Sequence, residues 1–251
     1  MLNVLLHGCN GKMGHAVVNA ATNRDDLKIV CGVDPYGESD YNFPVYKSFE
    51  DVSENVDVII DFSNPALIEA LCTYAKNNLV PAVICTTGLN DEQKKMVNEL
   101  SKNVAVFSSG NMSLGINLLI ALSKKATSIL GSDFDIEIIE KHHNLKLDAP
   151  SGTALMIADG ISEVRDDDPR YTYDRHSYRM KRSKNEIGIH SIRGGTIVGE
   201  HSVIFAGNDE VITLTHQAQS KALFANGALP AALFTSSQPA GLYDMSDMLS
   251  K

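Results

Sequence analysis

Apolar and polar positions fall into alternating blocks along the first 110 or so residues, and the period changes from block to block. LNVLLHG (2–8) is an apolar run that ends in glycine. LKIVCGVD (27–34), VDVIIDFS (56–63), VPAVICTTG (80–88) and VAVFSSGN (104–111) repeat that character. Between them, KMGHAVVNAATN (12–23), PALIEALCTYAKNN (65–78) and NDEQKKMVNELSKN (90–103) carry helical spacing. Pro65 suits a first helical turn. Strands that are apolar throughout, alternating with helices, predict a parallel sheet covered on both faces.

The pattern shifts near residue 112. Spacing predicts a long helix over 113–130, a strand over FDIEIIEKHH (134–143), and a helix after Ser151-Gly152-Thr153. EIGIHSIRG (186–194), TIVGEHSVIFAG (196–207) and EVITLTHQA (210–218) then alternate with period two. Short turns at Gly194-Gly195 and Gly207-Asn208-Asp209 make these strands look antiparallel. ALFANGALPAALFTSS (222–237) predicts a last helix that closes the chain.

Composition narrows the class. A chain of 251 residues holds one large domain or two modest ones. The N-terminal MLNVLLHGCNGKMG lacks a basic leader and breaks at Gly8, so no signal peptide is expected. No apolar run approaches the ~20 residues a membrane helix needs. A soluble, cytoplasmic protein is the expectation, with no membrane partner. Cysteines 9, 31, 72 and 85 form no C-x-x-C pair, which favours free thiols over a zinc or disulfide framework. The net charge of −9 argues against nucleic acid. One basic stretch, RYTYDRHSYRMKRSK (170–184), runs counter to it. It reads as a solvated loop, or as a basic loop near a small anion.

GCNGKMG (8–14) lies between the first strand and the first helix. Its G-x-x-G-x-x-G spacing is a variant of the dinucleotide fingerprint. Gly8 permits the tight turn, Gly11 lets backbone approach a pyrophosphate, and Gly14 lets helix and strand pack closely. Asp34 ends the second strand, where an acid takes the ribose hydroxyls of NAD. An acid there favours NADH and repels a 2′-phosphate, although Lys12 offers charge to one, so NADPH use stays open. DFS (61–63) and TTG (86–88) also sit at C-terminal strand ends, where open sheets bind ligands.

EKHHNLKLDAPSGTAL (140–155) gathers His142, His143 and Lys146 before a helix start. Ser151 fits the N-cap, and the N–H groups of Gly152 and Thr153 fit an anion. The cluster suits a small carboxylate that must also receive a proton. A metal site fits poorly, because adjacent strand residues face opposite ways and no partner Cys or His has ligand spacing.

This stretch resembles the dihydrodipicolinate reductase family signature E-x-H-H-x-x-K-x-D-A-P-S-G-T-A at every fixed position. GCNGKMG, DFS, TTG, GNMSLGIN (110–117), GEH (199–201) and FANGAL (224–229) also match in order. The resemblance spans nearly the whole chain. It implies a Rossmann-type doubly wound parallel sheet from residues 1–112 and 222–251. It also implies a central α+β domain with a mixed sheet, 113–221, for substrate and for a homotetramer. The implied activity is NAD(P)H-dependent reduction of a cyclic dicarboxylate in lysine biosynthesis, with no metal. His142 would be the general acid and Lys146 a second donor. His143, Lys146, Ser151, Gly152 and Thr153 would hold substrate. The cofactor would meet Gly8, Gly11, Lys12, Met13, Gly14 and Asp34, then Phe62 and Ser63, then Thr86, Thr87 and Gly88. Ser109, Gly110, Asn111, Met112, Lys221 and Phe224 would complete that site. Two departures touch cofactor preference: Cys85 stands where the family often has glycine, and Lys221 where it often has arginine. Two other classes compete: another NAD(P)-dependent enzyme of amino-acid metabolism, and a silent NADH-sensing regulator.

Overall fold

Parallel strands stack in the first part of the chain because both of their faces are apolar. The computed structural model describes every residue except Glu38, Tyr178 and Lys251. Tyr178, one tyrosine of the basic stretch, therefore lies outside the described residues. The chain divides into two compact units, Met1–Ser113 with Lys221–Lys251, and Leu114–Ser220.

The first unit begins with β1 (Leu2–His7), α1 (Lys12–Ala21), β2 (Leu27–Val33), β3 (Val45–Tyr46), β4 (Val58–Asp61), α2 (Ile68–Asn78), β5 (Ala82–Ile84), α3 (Asp91–Ser101) and β6 (Ala105–Ser108). Alternate strand residues feed opposite cores. Val4, Leu6, Val58 and Ile60 join one cluster with Val17 of α1, whereas Leu5 and Ile59 join the other with Leu71 of α2 and Val97 of α3. That two-sided burial is why these strands read as continuous apolar runs. Asn90 and Gln93 close a capping box at the start of α3. Pro65 opens a 3₁₀ turn, capped by Asn64, that leads into α2.

The second unit contains α4 (Leu114–Leu130), β7 (Asp135–His142), α5 (Gly152–Ser162), β8 (Arg170–Thr172), β9 (Glu186–Arg193), β10 (Gly199–Ala206) and β11 (Val211–Ala218). The strand order is β11-β10-β7-β9-β8. The helices cover one face, around Ile138, Ile157, Ile189 and Phe205. The β10–β11 hairpin forms as its turn predicts, with Gly207 N–H donating to Glu210 O. The expected antiparallel pairing of β9 with β10 does not occur. β7 lies between them, parallel to β9 and antiparallel to β10. Period two identifies strands but not neighbours, and β7 forms hydrogen-bonded ladders on both edges. The Gly194-Gly195 turn passes round the end of β7, donating from Gly194 N to His142 O at 2.9 Å.

The helix α4 and its following turn, Leu114–Asp133, have the length and apolarity of a membrane span. Lys124 and Lys125 interrupt that run, and Ile116 and Leu119 are buried within the second unit.

The chain returns to the first unit with α6 (Ala222–Ser236), β12 (Gly241–Tyr243) and α7 (Met245–Leu249). The sheet order is β12-β6-β5-β4-β1-β2-β3, all parallel. Chain order reverses between β1 and β4, the place where such sheets open a crevice. The helix over 222–237 forms but does not close the chain, since β12 and α7 follow. β3, β8 and β12 span only two or three residues each, too short for periodicity to reveal.

Candidate active site

At the crevice of the first sheet, the β1–α1 turn is built by backbone. Gly8 has φ +78°, and an added Cβ would lie 2.7 Å from Phe62 O. A Cβ on Gly14 would meet Cys9 O at 2.3 Å. Only glycine fits either position. Gly11 is the N-cap of α1 with no side-chain cap, so the first N–H groups of the helix stay available to an anion.

Asp34 is buried at the end of β2. It accepts Asn10 N–H at 3.0 Å and Tyr36 N–H at 3.1 Å, so it ties the glycine turn to the second strand. Phe62 N–H donates to His7 O, which holds the turn after β4 against β1. Ser63 donates to Asp61 Oδ1 at 2.6 Å and sits 3.5 Å from the Thr86 hydroxyl. Met13, Phe62, Met112 and Phe224 share one apolar cluster. Ser109 donates to Asn111 O, and Asn111 Oδ1 accepts Ser113 N–H, folding that segment on itself. Lys12, Thr87, Gly88, Gly110 and Lys221 are exposed, and the Lys221 carbonyl accepts Phe224 N–H at 3.2 Å.

In the second unit the arrangement depends on side chains. Glu140 and His142 are two apart on β7, so they share a face. Glu140 is fully buried. Arg193, from the end of β9, grips it with two bonds of 2.7 and 2.8 Å. His142 Nδ1 lies 2.6 Å from Glu140 Oε2, and Ser151 N–H donates to Oε1 at 3.1 Å. Burial alone would push the Glu140 carboxyl up, but hydrogen bonds from Arg193, His142 and Ser191 outweigh it and bring it down to about 2. Glu140 is thus always ionised at neutral pH and always available to orient the imidazole.

Ser151 caps α5 as its position predicts, accepting Ala154 N–H at 3.2 Å. Its hydroxyl also meets His201 Nε2 at 3.0 Å. The rings of His142 and His201 meet edge to face, 5.2 Å apart. Burial, then the neighbouring His142, pulls the His201 pKa down to about 4, so it is neutral at physiological pH. Lys146 Nζ lies 2.8 Å from Asp148 Oδ1. Lys146, with smaller help from the Gly152 N–H, holds the Asp148 carboxyl below its usual range. The lysine and the first turn of α5 therefore already close on a carboxylate. His143 follows β7 half-buried, its carbonyl accepting Lys146 N–H, and Thr153 sits half-buried in the first turn of α5.

Glu140, Arg193, His201 and Asp148 carry roles here that the sequence patterns did not assign. Glu140 stands two residues before His142, a visible same-face signal. Arg193 and His201 reach the site across 53 and 50 chain positions.

A glycine-turn Rossmann-type unit joined in sequence to a mixed-sheet unit with a proton-carrying histidine network defines a nicotinamide-dinucleotide-dependent oxidoreductase. Family models for dihydrodipicolinate reductase match on both sides of the unit boundary, its N-terminus over residues 2–112 and its C-terminus over 115–249. The chain belongs to the dihydrodipicolinate reductase family. It is 51% identical to the 4-hydroxy-tetrahydrodipicolinate reductase of Caldanaerobacter subterraneus subsp. tengcongensis, covering 100% of this chain and 99% of the relative. It is 47% identical to that of Clostridium tetani, covering 99% and 97%. Among solved structures, dipicolinate-bound dihydrodipicolinate reductase from Paenisporosarcina sp. TG-14 superposes with a TM-score of 0.81 at 28% identity, covering 97% of each chain.

Proposed function

We propose that this chain reduces 4-hydroxy-tetrahydrodipicolinate, by way of dihydrodipicolinate, to tetrahydrodipicolinate on the diaminopimelate route to lysine. The observation that carries this reading is the carboxylate already seated against Lys146 and α5, beside an imidazole oriented by a buried glutamate. A cyclic dicarboxylate would take that seat. Loss of water from the hydroxylated ring gives a conjugated imine. A reduced nicotinamide held by the first unit would supply the hydride that a carbon of that conjugated system accepts. His142 then delivers the balancing proton, and Lys146 stabilises the electron-rich intermediate. His143, Ser151, Gly152 and Thr153 hold the carboxylates.

At the β1–β4 crevice, Gly11, Lys12 and Met13 at the start of α1 would hold the cofactor's phosphates and Asp34 its ribose. Phe62, Ser63, Thr86, Thr87, Gly88, the 109–112 segment, Lys221 and Phe224 would line it. Asp34 favours NADH, with NADPH also used. The assembly is a homotetramer. The exposed leucines 114, 118 and 122, one helical turn apart on α4, give such an assembly an apolar stripe. Four free cysteines suit the reducing cytoplasm.

The test follows NADH, then NADPH, by absorbance with substrate made in place from pyruvate and aspartate semialdehyde by the preceding synthase. Synthase-dependent oxidation supports the reading, and the two rates give the preference. Measurable NADH binding without oxidation points instead to a sensor or to another imine.

A further inference from the structure

His201 belongs to the GEH segment that the proposed chemistry leaves without a task. It is buried, near the start of β10, and is neutral at physiological pH. A neutral imidazole owns one N–H and one lone pair. Its Nε2 meets the Ser151 hydroxyl at 3.0 Å, and its Nδ1 is buried with no hydrogen-bond partner among the described residues. Two arrangements are possible. With the proton on Nδ1, a buried N–H is orphaned, and the Ser151 hydroxyl turns inward to donate to Nε2. With the proton on Nε2, only a lone pair is orphaned. Buried orphan N–H groups are the rarer defect in folded proteins, so the second arrangement is favoured.

The second arrangement has a consequence for Ser151. Its hydroxyl oxygen then accepts from both Ala154 N–H and His201 Nε2–H. Both lone pairs are used. Its backbone N–H is spent on Glu140. The hydroxyl hydrogen is the one donor Ser151 has left, and neither bonded direction is open to it. We infer that His201 is a positioning residue that aims the Ser151 hydroxyl outward as a donor to the substrate carboxylate. This deepens the proposed function and rests on it. The charged and titratable groups around His201 are His142 and Glu140 of β7, Lys146 of the following loop and His216 of β11. Because its pKa lies near 4, His201 keeps this arrangement across the physiological range.

The experiment measures dipicolinate affinity by calorimetry, together with KM and kcat in the synthase-coupled assay, on the full chain. The variants are His201→Phe, His201→Gln, Ser151→Ala and the His201→Phe/Ser151→Ala double. Phenylalanine keeps a ring but removes the donor, and glutamine restores an N–H where Nε2 stood. His201→Phe should weaken dipicolinate and raise KM by about tenfold, with kcat changed less, because an aimed bond to a carboxylate is worth a large part of a charged hydrogen bond. His201→Gln should recover most of the loss. In the Ser151→Ala background the His201→Phe change should cost nothing further. An equal loss in both backgrounds, or an unchanged affinity in His201→Phe, overturns the inference. Nitrogen-15 NMR of the histidines in the parent chain decides it even where a variant fails to fold: protonation at Nδ1 overturns the inference, and protonation at Nε2 supports it. If the parent neither binds dipicolinate nor turns over, the functional reading fails, and the NMR result on His201 is read separately.

Discussion

The β1–α1 turn and the Glu140 network do comparable work with opposite materials. The turn is backbone: Gly8 and Gly14 make room, and in the proposed function the helix N–H groups would be the donors. The network is chiefly side chains: Arg193 of β9 and His142 of β7 bond one buried carboxylate, Ser151 adds its backbone N–H, and His201 of β10 joins through the Ser151 hydroxyl. A cradle made of backbone should tolerate loss of side chains and fail when a Cβ is added. A network made of side chains should fail when one functional group is changed. Binding of an extended phosphate needs many weak, fixed donors. Proton delivery needs one group with a defined tautomer.

The largest expected effect sharpens the second half of that contrast. His142→Gln should cut turnover at least about a hundredfold, within the usual span of a general acid, while leaving NADH binding unchanged. Stopped-flow turnover with a fluorescence titration of NADH checks both. A parent-like turnover would remove His142 from the role of acid.

Next is the cradle. Gly8→Val places a branched side chain at φ +78° against Phe62 O. It should cost about 2–4 kcal/mol of stability and abolish dinucleotide binding. Lys12→Ala, in the same turn, should leave NADH affinity within a few-fold. Denaturant midpoints and NADH titrations report both, and a Lys12→Ala loss as large as that of Gly8→Val would break the contrast.

Glu140→Gln comes third. Arg193 would lose its partner, at a cost of about 2 kcal/mol, less than for a fully buried pair because the guanidinium is partly exposed. The pH dependence has a definite sign. The folded pKa of Glu140, about 2, lies below its ordinary value of 4.5. Its contribution to stability is therefore complete above pH 4.5 and is lost as pH falls from there toward 2. Unfolding free energies measured across that window should fall less steeply in Glu140→Gln than in the parent.

The smallest effect concerns Asp34. Asp34→Asn keeps an acceptor for the loop N–H groups but removes the charge. The ratio of kcat/KM for NADPH over NADH should rise several-fold, about 1 kcal/mol of selectivity. An unchanged ratio would mean that Asp34 serves only to hold Asn10 and Tyr36.

The same contrast separates what is legible in the amino-acid sequence from what is hidden there. The glycine turn and Asp34 lie within one β-α-β stretch, so local spacing carries them. The parallel sheet is legible because apolar runs such as residues 58–60 have no polar face. The order of β9, β7 and β10 is not, because alternation gives which residues face inward and says nothing about which strand lies alongside. Arg193 and His201 are hidden for the same reason. GEH (199–201) marks His201 without giving it a task, Arg193 carries no mark at all, and only the insertion of β7 between β9 and β10 places both against Glu140 and its neighbours. The shortest strands leave no period to detect.

That central placing of β7 also divides the site by time. From Ile136 to Lys141 the strand is laddered on both edges, and His142 at its end pairs with β9 alone, so the strand can open only when its neighbours open with it. Hydrogen exchange there should be among the slowest in the second unit. A few residues on, the Lys146–Asp148 segment belongs to no ladder, and its amides should exchange far sooner. The proposed acid would then stand at the end of the slow strand and the proposed carboxylate clamp on a fast segment, so the clamp would open and reclose many times while the imidazole stays in place.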